Sequence, residues 1–486
     1  MLFHTVIYAV FLPTVWLVYM LVGRVSLRAQ NFVLLVASYF FYGWWDWRFL
    51  GLIALSSLVD YIVGLSLNLT SENRNRRLIL LASLVVNLGI LGFFKYYDFF
   101  ITSLVDAAAA LGIDLQAPTL RIILPVGLSF YTFQALTYTV GVYRRQVKVE
   151  RDPIAFFAYV AFFPQLVAGP IERAGHMLPQ FNRPRRVTAD DFASGLRQIT
   201  WGLFCKLVVA DNCAIVANSI FDSHRHLPGS VALTGAVFFA FQIYGDFSGY
   251  SHIALGSARL FGFELMQNFA TPYFSQSIPE FWRRWHISLS TWFRDFVFIP
   301  LGGSRVGTLR YAFNILLTFT ISGLWHGASW TFVVWGFLNG LYYLPHIFFA
   351  KRLASSRTVQ TAVRSVATIG SRVLLTFFLT VLAWIFFRAK TIHEALIMAG
   401  SVFSTSIVTN PTTFLREFGL LNPMMFAGAA IAALVALEFL QRDKRFALQV
   451  DSRPLATRWA AYAGVIGLIL CFRYTGSALD FIYFQF

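Results

Sequence analysis

Long apolar runs cut at intervals by short basic loops constrain this chain more than any other feature. Residues 5–22, 31–45, 49–67 and 78–94 are four such runs within the first hundred positions. Arg24 and Arg28 separate the first pair, and Arg74, Arg76 and Arg77 precede the fourth. Of the 486 residues, 57% are hydrophobic and 13% charged, against about 25% charged in soluble domains. One water-soluble core cannot use that much apolar surface, so the solvent for most of the chain is lipid. Hydrocarbon offers the backbone no hydrogen-bond partners, and the spanning elements must therefore be helices. Further runs lie at 124–145, 196–216, 231–243, 330–349, 373–387 and 424–440, with a last helix toward Phe486. The run 155–167 is short for a full crossing and reads as re-entrant or tilted. These patterns predict an all-α polytopic membrane protein with about eleven to thirteen membrane segments, some re-entrant or broken. There is no internal repeat and no low-complexity tract, so residues 1–486 read as one transmembrane domain, with a functional hub at 244–340.

The net charge of +16 sits in loops between apolar runs. That placement fits cytoplasmic anchoring rather than nucleic-acid binding. The loop 351–372 holds five basic residues and no acid, a cytoplasmic marker. Cys205, Cys213 and Cys471 form no CxxC pair and read as small buried hydrophobes, with no metal framework. The first apolar run lacks a basic leader and a small-residue cleavage site, and it reads as a helix that stays.

No phosphate-binding loop, serine-hydrolase elbow, HExxH or dinucleotide fingerprint is present. Polar residues in apolar context remain. His326 lies in SGLWHGASW between Gly323 and Gly327, where backbone or substrate can approach closely. A neutral imidazole accepts a proton from a hydroxyl near pH 7. A structural histidine bonded to a neighbouring helix is the other reading, and the small polar neighbours favour function. His286 lies in FWRRWHISLSTWFRDF. On a helix, Trp282, His286 and Ser290 would share a face. Arg283, Arg284 and Arg294 could then hold an anionic donor, although composition alone favours an interfacial helix with snorkelling arginines. The run YGDFSGYSHIALGSARLFGFEL (244–265) carries four glycines, Asp246 and His252. It predicts two half-helices joined at Gly249, serving either a site or an interhelical hydrogen-bond node. The hydroxyl-rich stretch 124–143 predicts a helix facing other helices or a wet cavity. His224 and His226 read as solvated loop residues, His4, His346 and His393 as segment ends, and His176 as part of a basic connection.

The run PEFWRRWHISLSTWFRDFVFIPLGG, followed by LWHGASWTFVVWGFLNG, resembles the membrane-bound O-acyltransferase family. Within it the resemblance is strongest to bacterial alginate and exopolysaccharide O-acetyltransferases. ASYFFYGWW (37–45), FFKYYDFF (93–100), LPVGLSFYTFQALTY (124–138), FPQLVAGPIER (163–173), YGDFSGYSHIALGSARLFGF (244–263) and FIYFQF (481–486) extend it over almost the whole chain. The resemblance implies a ring of helices around a thin centre, reached by a tunnel. It implies that His326 is the catalytic residue and His286 its companion. Trp325, Trp285, Ser322, Asp246, Tyr250, Arg283 and Arg284 become candidates for lining the tunnel or binding the donor. It further implies acetyl transfer from a cytoplasmic thioester, acetyl-CoA, toward hydroxyls of an extracytoplasmic polysaccharide. Periplasmic acetyltransferase-type partners would complete the transfer, and the setting is the bacterial inner membrane. Other acceptors within the family are peptidoglycan, teichoic acid and lipid. Outside it, a transporter with a histidine proton relay is the rival.

Overall fold

The computed structural model describes every residue except 121, 168, 224–226, 356–365, 443, 445–447, 451–452, 477–478, 480 and 485–486. His224 and His226, and much of the basic loop 351–372, lie outside the described residues. Among the described residues there is no strand, and eight helices are long and apolar enough to cross a membrane. Val6–Val22, Pro153–Leu166 and Ile392–Val402 are shorter apolar helices. The protein is a polytopic all-α membrane protein. Its helices expose apolar side chains that water would not tolerate and lipid requires. Val465 is the only buried residue of the helix Leu455–Phe472, while Leu455, Trp459 and Leu470 are exposed.

The chain divides into two compact units, residues 1–199 with 251–266, and residues 200–250 with 267–486. In the first unit, α1 (Val6–Val22) and α2 (Leu27–Asp46) start at Thr5 and Ser26, whose hydroxyls accept the N–H groups of Tyr8 and Ala29. Asp46 leaves the helical conformation (φ −158°, ψ 111°). Its carboxylate takes the Arg48 N–H at 2.9 Å and pairs with the Arg48 guanidinium, which turns the chain into α3 (Leu50–Leu69). Then come α4 (Asn73–Leu91), a wide π-type turn at Gly92–Tyr96, α5 (Tyr97–Ala110) and α6 (Leu128–Tyr143). The hydroxyl-rich α6 is buried along nearly its whole length, facing protein as its sequence predicts.

Those polar side chains complete other helices. The expected short segment at 155–167 is two pieces, α7 (Pro153–Ala161) and α8 (Phe163–Leu166), broken at Phe162. Around the break, Gln134 and Gln165 donate to the Tyr159 carbonyl at 2.7 and 2.9 Å, and Ser38 accepts the Phe163 N–H at 3.0 Å. Asp60 of α3 is wholly buried, and it accepts from Ser83 at 2.6 Å and Asn87 at 3.0 Å. Arg76 reads as loop charge in the sequence but is buried. It donates to the carbonyls of Leu67, Thr70, Val142 and Tyr143. Arg185 ties Tyr19, Gln30 and Asn31 together at 2.7–3.0 Å. At α9 (Ala174–Phe181), His176 Nδ1 lies 2.8 Å from the buried Glu172 carboxylate, which also accepts the Met266 N–H.

Two long helical stretches follow. The first is α10 (Ala189–Leu203), a π-type turn Phe204–Ala210 and α11 (Asp211–Asp222). The second, α12 (Gly229–Leu260), corrects an expectation. It is one helix of 32 residues with no break at Gly249. Its glycines serve close approach. A Cβ at Gly245 would lie 2.9 Å from the Cys205 carbonyl oxygen, and one at Gly249 2.7 Å from that of Gly202. Asp246 and His252 therefore sit on one continuous helix, six positions apart and on different faces.

The second unit continues with α13 (Ile278–Arg284), α14 (Ile287–Phe293), α15 (Thr308–His326) and α16 (Trp330–Ser355). Helices Val366–Arg388, Ile392–Val402, Pro411–Glu417, Leu421–Gln441 and Leu455–Phe472 complete it. Helices α15 and α16 meet at glycine. A Cβ at Gly336 would lie 2.3 Å from the Phe319 carbonyl oxygen and 3.0 Å from the Cα of Gly323.

Gly336→Val is expected to destabilise the protein by about 1–3 kcal/mol, because backbone cannot yield to it. Gly370→Ala, with open space around it, is expected to be neutral or slightly stabilising. Thermal unfolding of the purified protein in detergent checks both. The Glu172 carboxylate raises the pKa of His176 by their hydrogen bond, against a smaller effect of burial. Burial raises Glu172 itself. Both folded-state values lie above their unfolded ones, so the stability they contribute is held at low pH and lost as pH rises through them. The unfolding midpoint should fall modestly between about pH 6 and pH 8, and His176→Gln should flatten that slope.

Candidate active site

His286 is placed by a break in a helix. Ser277 caps α13 by accepting the Glu280 N–H, and Pro279 sits in its first turn. The Glu280 carboxylate takes the Gln276 N–H at 2.9 Å and pairs with Arg284 at 2.7 Å. The helix then stops. Trp285 is extended (φ −103°, ψ 128°) and His286 is left-handed (φ 41°, ψ 56°). The face expected of Trp282, His286 and Ser290 on one helix does not form. Neighbouring backbone overrides local helix preference. Ala270 N–H donates to the Arg284 carbonyl at 3.0 Å, and Ile287 N–H to that of Asn268 at 2.9 Å. Ser288 donates to the Asn268 side chain at 2.7 Å. A non-glycine residue in this conformation costs about 1–3 kcal/mol and persists only where surrounding structure imposes it. His286 is 0% exposed, and burial holds its imidazole neutral by lowering its pKa.

His326 is the last residue of α15. A Cβ at Gly327 would strike the Phe332 ring at 2.1 Å, and one at Gly323 the Phe332 carbonyl oxygen at 2.2 Å. The helix end is thus pressed onto the start of α16, and the imidazole meets Trp335 edge to face at 5.0 Å. The two imidazoles lie with centroids 6.4 Å apart. Phe247 stands at 4.6 Å from His286, and Trp325 at 6.2 Å. Trp325, Phe387 and Tyr483 surround His326 at 5.0, 5.5 and 5.9 Å. The result is a buried chamber of rings with two imidazoles in it.

The other sequence candidates divide. Trp325 touches both histidines, and Ser322 is buried one turn before His326. Trp285 is buried among Phe269, Phe281 and Trp384 at 5.1–5.5 Å. Tyr250 stacks on Phe481 at 4.2 Å. Asp246 faces Lys206 at 3.0 Å and accepts the Ile482 N–H at 2.7 Å. Arg284 is engaged by Glu280, Arg294 by Asp295 at 2.8 Å, and Arg283 is exposed. His252 belongs to the first unit. Among the described residues no group of three or more His, Cys, Asp or Glu is arranged to hold a metal ion.

Sequence reasoning missed Phe247, Trp335, Phe387 and Tyr483, since one aromatic among so many carries no mark. It also passed over Lys206 and Asp211. Here a signal existed, because a lysine inside an apolar run is costly.

The family model of the membrane-bound O-acyltransferase family matches residues 39–389, a range that includes both histidines. The probable alginate O-acetylase AlgI of Pseudomonas putida is 40% identical over 395 residues, 81% of this chain and 78% of that protein. Its counterpart in Azotobacter vinelandii is 40% identical over 380 residues, 78% and 73% of the two chains. The peptidoglycan O-acetyltransferase of Helicobacter pylori is 37% identical over 392 residues, 75% and 72%. The chain belongs to the membrane-bound O-acyltransferase family and is an O-acyltransferase.

Proposed function

We propose that the protein carries acetyl groups from a cytoplasmic thioester, acetyl-CoA, toward hydroxyls of an extracytoplasmic polysaccharide such as alginate, with His326 as general base. The observation that carries this reading is the pair of buried imidazoles 6.4 Å apart in one aromatic chamber. The names of the alginate O-acetylase relatives support the acetyl group and the polymer. Membership of an acyltransferase family sets the transporter reading aside.

His326 takes the proton of the acceptor hydroxyl as its oxygen attacks the thioester carbonyl. The tetrahedral intermediate collapses, the C–S bond breaks, and the thiolate recovers the proton from the imidazolium. General-base help of this kind is worth roughly 10²–10⁴-fold in rate. His286 orients the donor and donates a hydrogen bond to the developing oxyanion. Trp325 and Trp285 wall the path, with Ser322, Asp246 and Tyr250 beside it, and Arg283 and Arg284 meet the anionic donor. The final acceptor is the sugar itself or a serine on a periplasmic acetyltransferase-type partner. The setting is the bacterial inner membrane.

In cells lacking the native gene and carrying His326→Ala, polymer O-acetylation is expected to fall roughly 10²–10⁴-fold at unchanged protein level. Normal acetylation with normal expression would sink the assignment. His286 is held neutral well below pH 6 by burial, so His286→Gln should lower the rate without moving the acid limb of its pH profile. Membrane vesicles given labelled acetyl-CoA between about pH 5 and pH 8 check this. Chemical analysis of the acetylated product separates polysaccharide from peptidoglycan, the acceptor named for the Helicobacter relative.

A further inference from the structure

Lys206 is 1% exposed and lies in the wide turn Phe204–Ala210. Its ammonium meets Asp211 at 2.8 Å, Asp246 at 3.0 Å and the carbonyl oxygen of Leu479 at 3.3 Å. Two carboxylates and a backbone carbonyl surround the buried charge. The second oxygen of Asp246 accepts the N–H of Ile482 at 2.7 Å. Two more bonds fix the chain at the end of the helix Leu455–Phe472, one on the turn Phe204–Ala210 and one on α11. Tyr474 N–H donates to the Leu207 carbonyl at 3.2 Å, and the Asn212 side chain to that of Phe472 at 3.0 Å. A π-type turn releases carbonyls from the α-helical ladder, and Leu207 spends its carbonyl on Tyr474. Beyond the anchors, Phe481 stacks on Tyr250, and Tyr483 stands 4.6 Å from Phe247 and 5.9 Å from His326.

We propose that Lys206, Asp211 and Asp246 are positioning residues that hold the C-terminal segment, residues 479 and 481–484, so that Tyr483 forms one wall of the histidine chamber. A buried ion triad is an inefficient way to gain stability, since apolar residues of similar volume serve as well or better. What apolar residues cannot do is fix a short segment outside the long helices by its backbone groups. Asp246 thereby acts on the site through Ile482, without touching substrate. This inference rests on the reading of His326 as the base.

Asp246→Leu removes the acceptor, and Ile482→Pro removes the donor without touching the triad. Proline suits Ile482, which opens a 3-10 turn. Each is expected to lower kcat roughly ten- to hundred-fold, the scale of a misplacement of about 1 Å. The KM for acetyl-CoA should stay within about twofold in each case. The assay is label transfer from acetyl-CoA in membrane vesicles of the producing cell. In the purified full chain, amide exchange of the peptide holding residues 479–484 should speed up in both variants. The double variant should lose no more than either single one, because both break one contact. Should Asp246→Leu fail to fold, Ile482→Pro carries the test alone. Unchanged kcat with a released C-terminal peptide overturns the proposal, as do multiplied losses in the double variant or lost activity with the peptide still protected. His326→Ala should lower transfer roughly 10²–10⁴-fold with the peptide protected. An active His326→Ala would remove the base assignment, and exchange would still decide whether the triad holds the segment.

Discussion

Hydrocarbon supplies no hydrogen bonds, and most of this structure follows from that. Each polar group taken into the membrane must find its partner within the protein. Asp60 finds Ser83 and Asn87. Arg76 spends its guanidinium on four carbonyls at helix ends. Glu438 meets the hydroxyl of Tyr244. The break between α7 and α8 exists only because Ser38, Gln134 and Gln165 are there to satisfy it. Polar residues in apolar runs therefore mark where backbone departs from helix, or where two helices must be held in register. Fewer of them mark chemistry.

That rule explains what could be read from the sequence. That the chain is helical and crosses the membrane many times follows from apolar length and basic loops, because those depend on solvent alone. The burial of α6 was legible in its hydroxyls. The glycines of α12 misled, since glycine weakens a helix in water but permits close backbone contact in a bundle. Gly245 and Gly249 use that second property against Cys205 and Gly202. A single sequence does not say which property is in use, because the deciding neighbour lies about forty residues away.

The histidines show the same limit at the site. His326 stood out because helix, glycines and imidazole are all local in sequence. His286 stood out as well, but its placement was misread, because its left-handed backbone is imposed by Asn268 and Ala270 across a loop. Local propensity in FWRRWHISLS continues the helix through His286, and tertiary hydrogen bonds end it before Trp285. Tyr483 was beyond reach altogether. Nearly 160 residues separate it from His326, and only the anchors at Lys206 and Asp246 account for their meeting.

The aromatic walls bear on the chemistry proposed for the pair. A thioester in a wet site loses its acyl group to water, so a transferase gains from dry surroundings. Phe247, Trp325, Trp335, Phe387 and Tyr483 offer the imidazoles faces and edges but little water. Dryness has a second effect, since burial opposes the charged form of His286 and keeps it neutral. A neutral imidazole still donates one N–H, and in a low-dielectric chamber that bond to a developing oxyanion is stronger than in water. The strained backbone at His286 then has a physical rationale. A relaxed helix would leave the ring where local geometry puts it, whereas the imposed turn sets it 6.4 Å from His326.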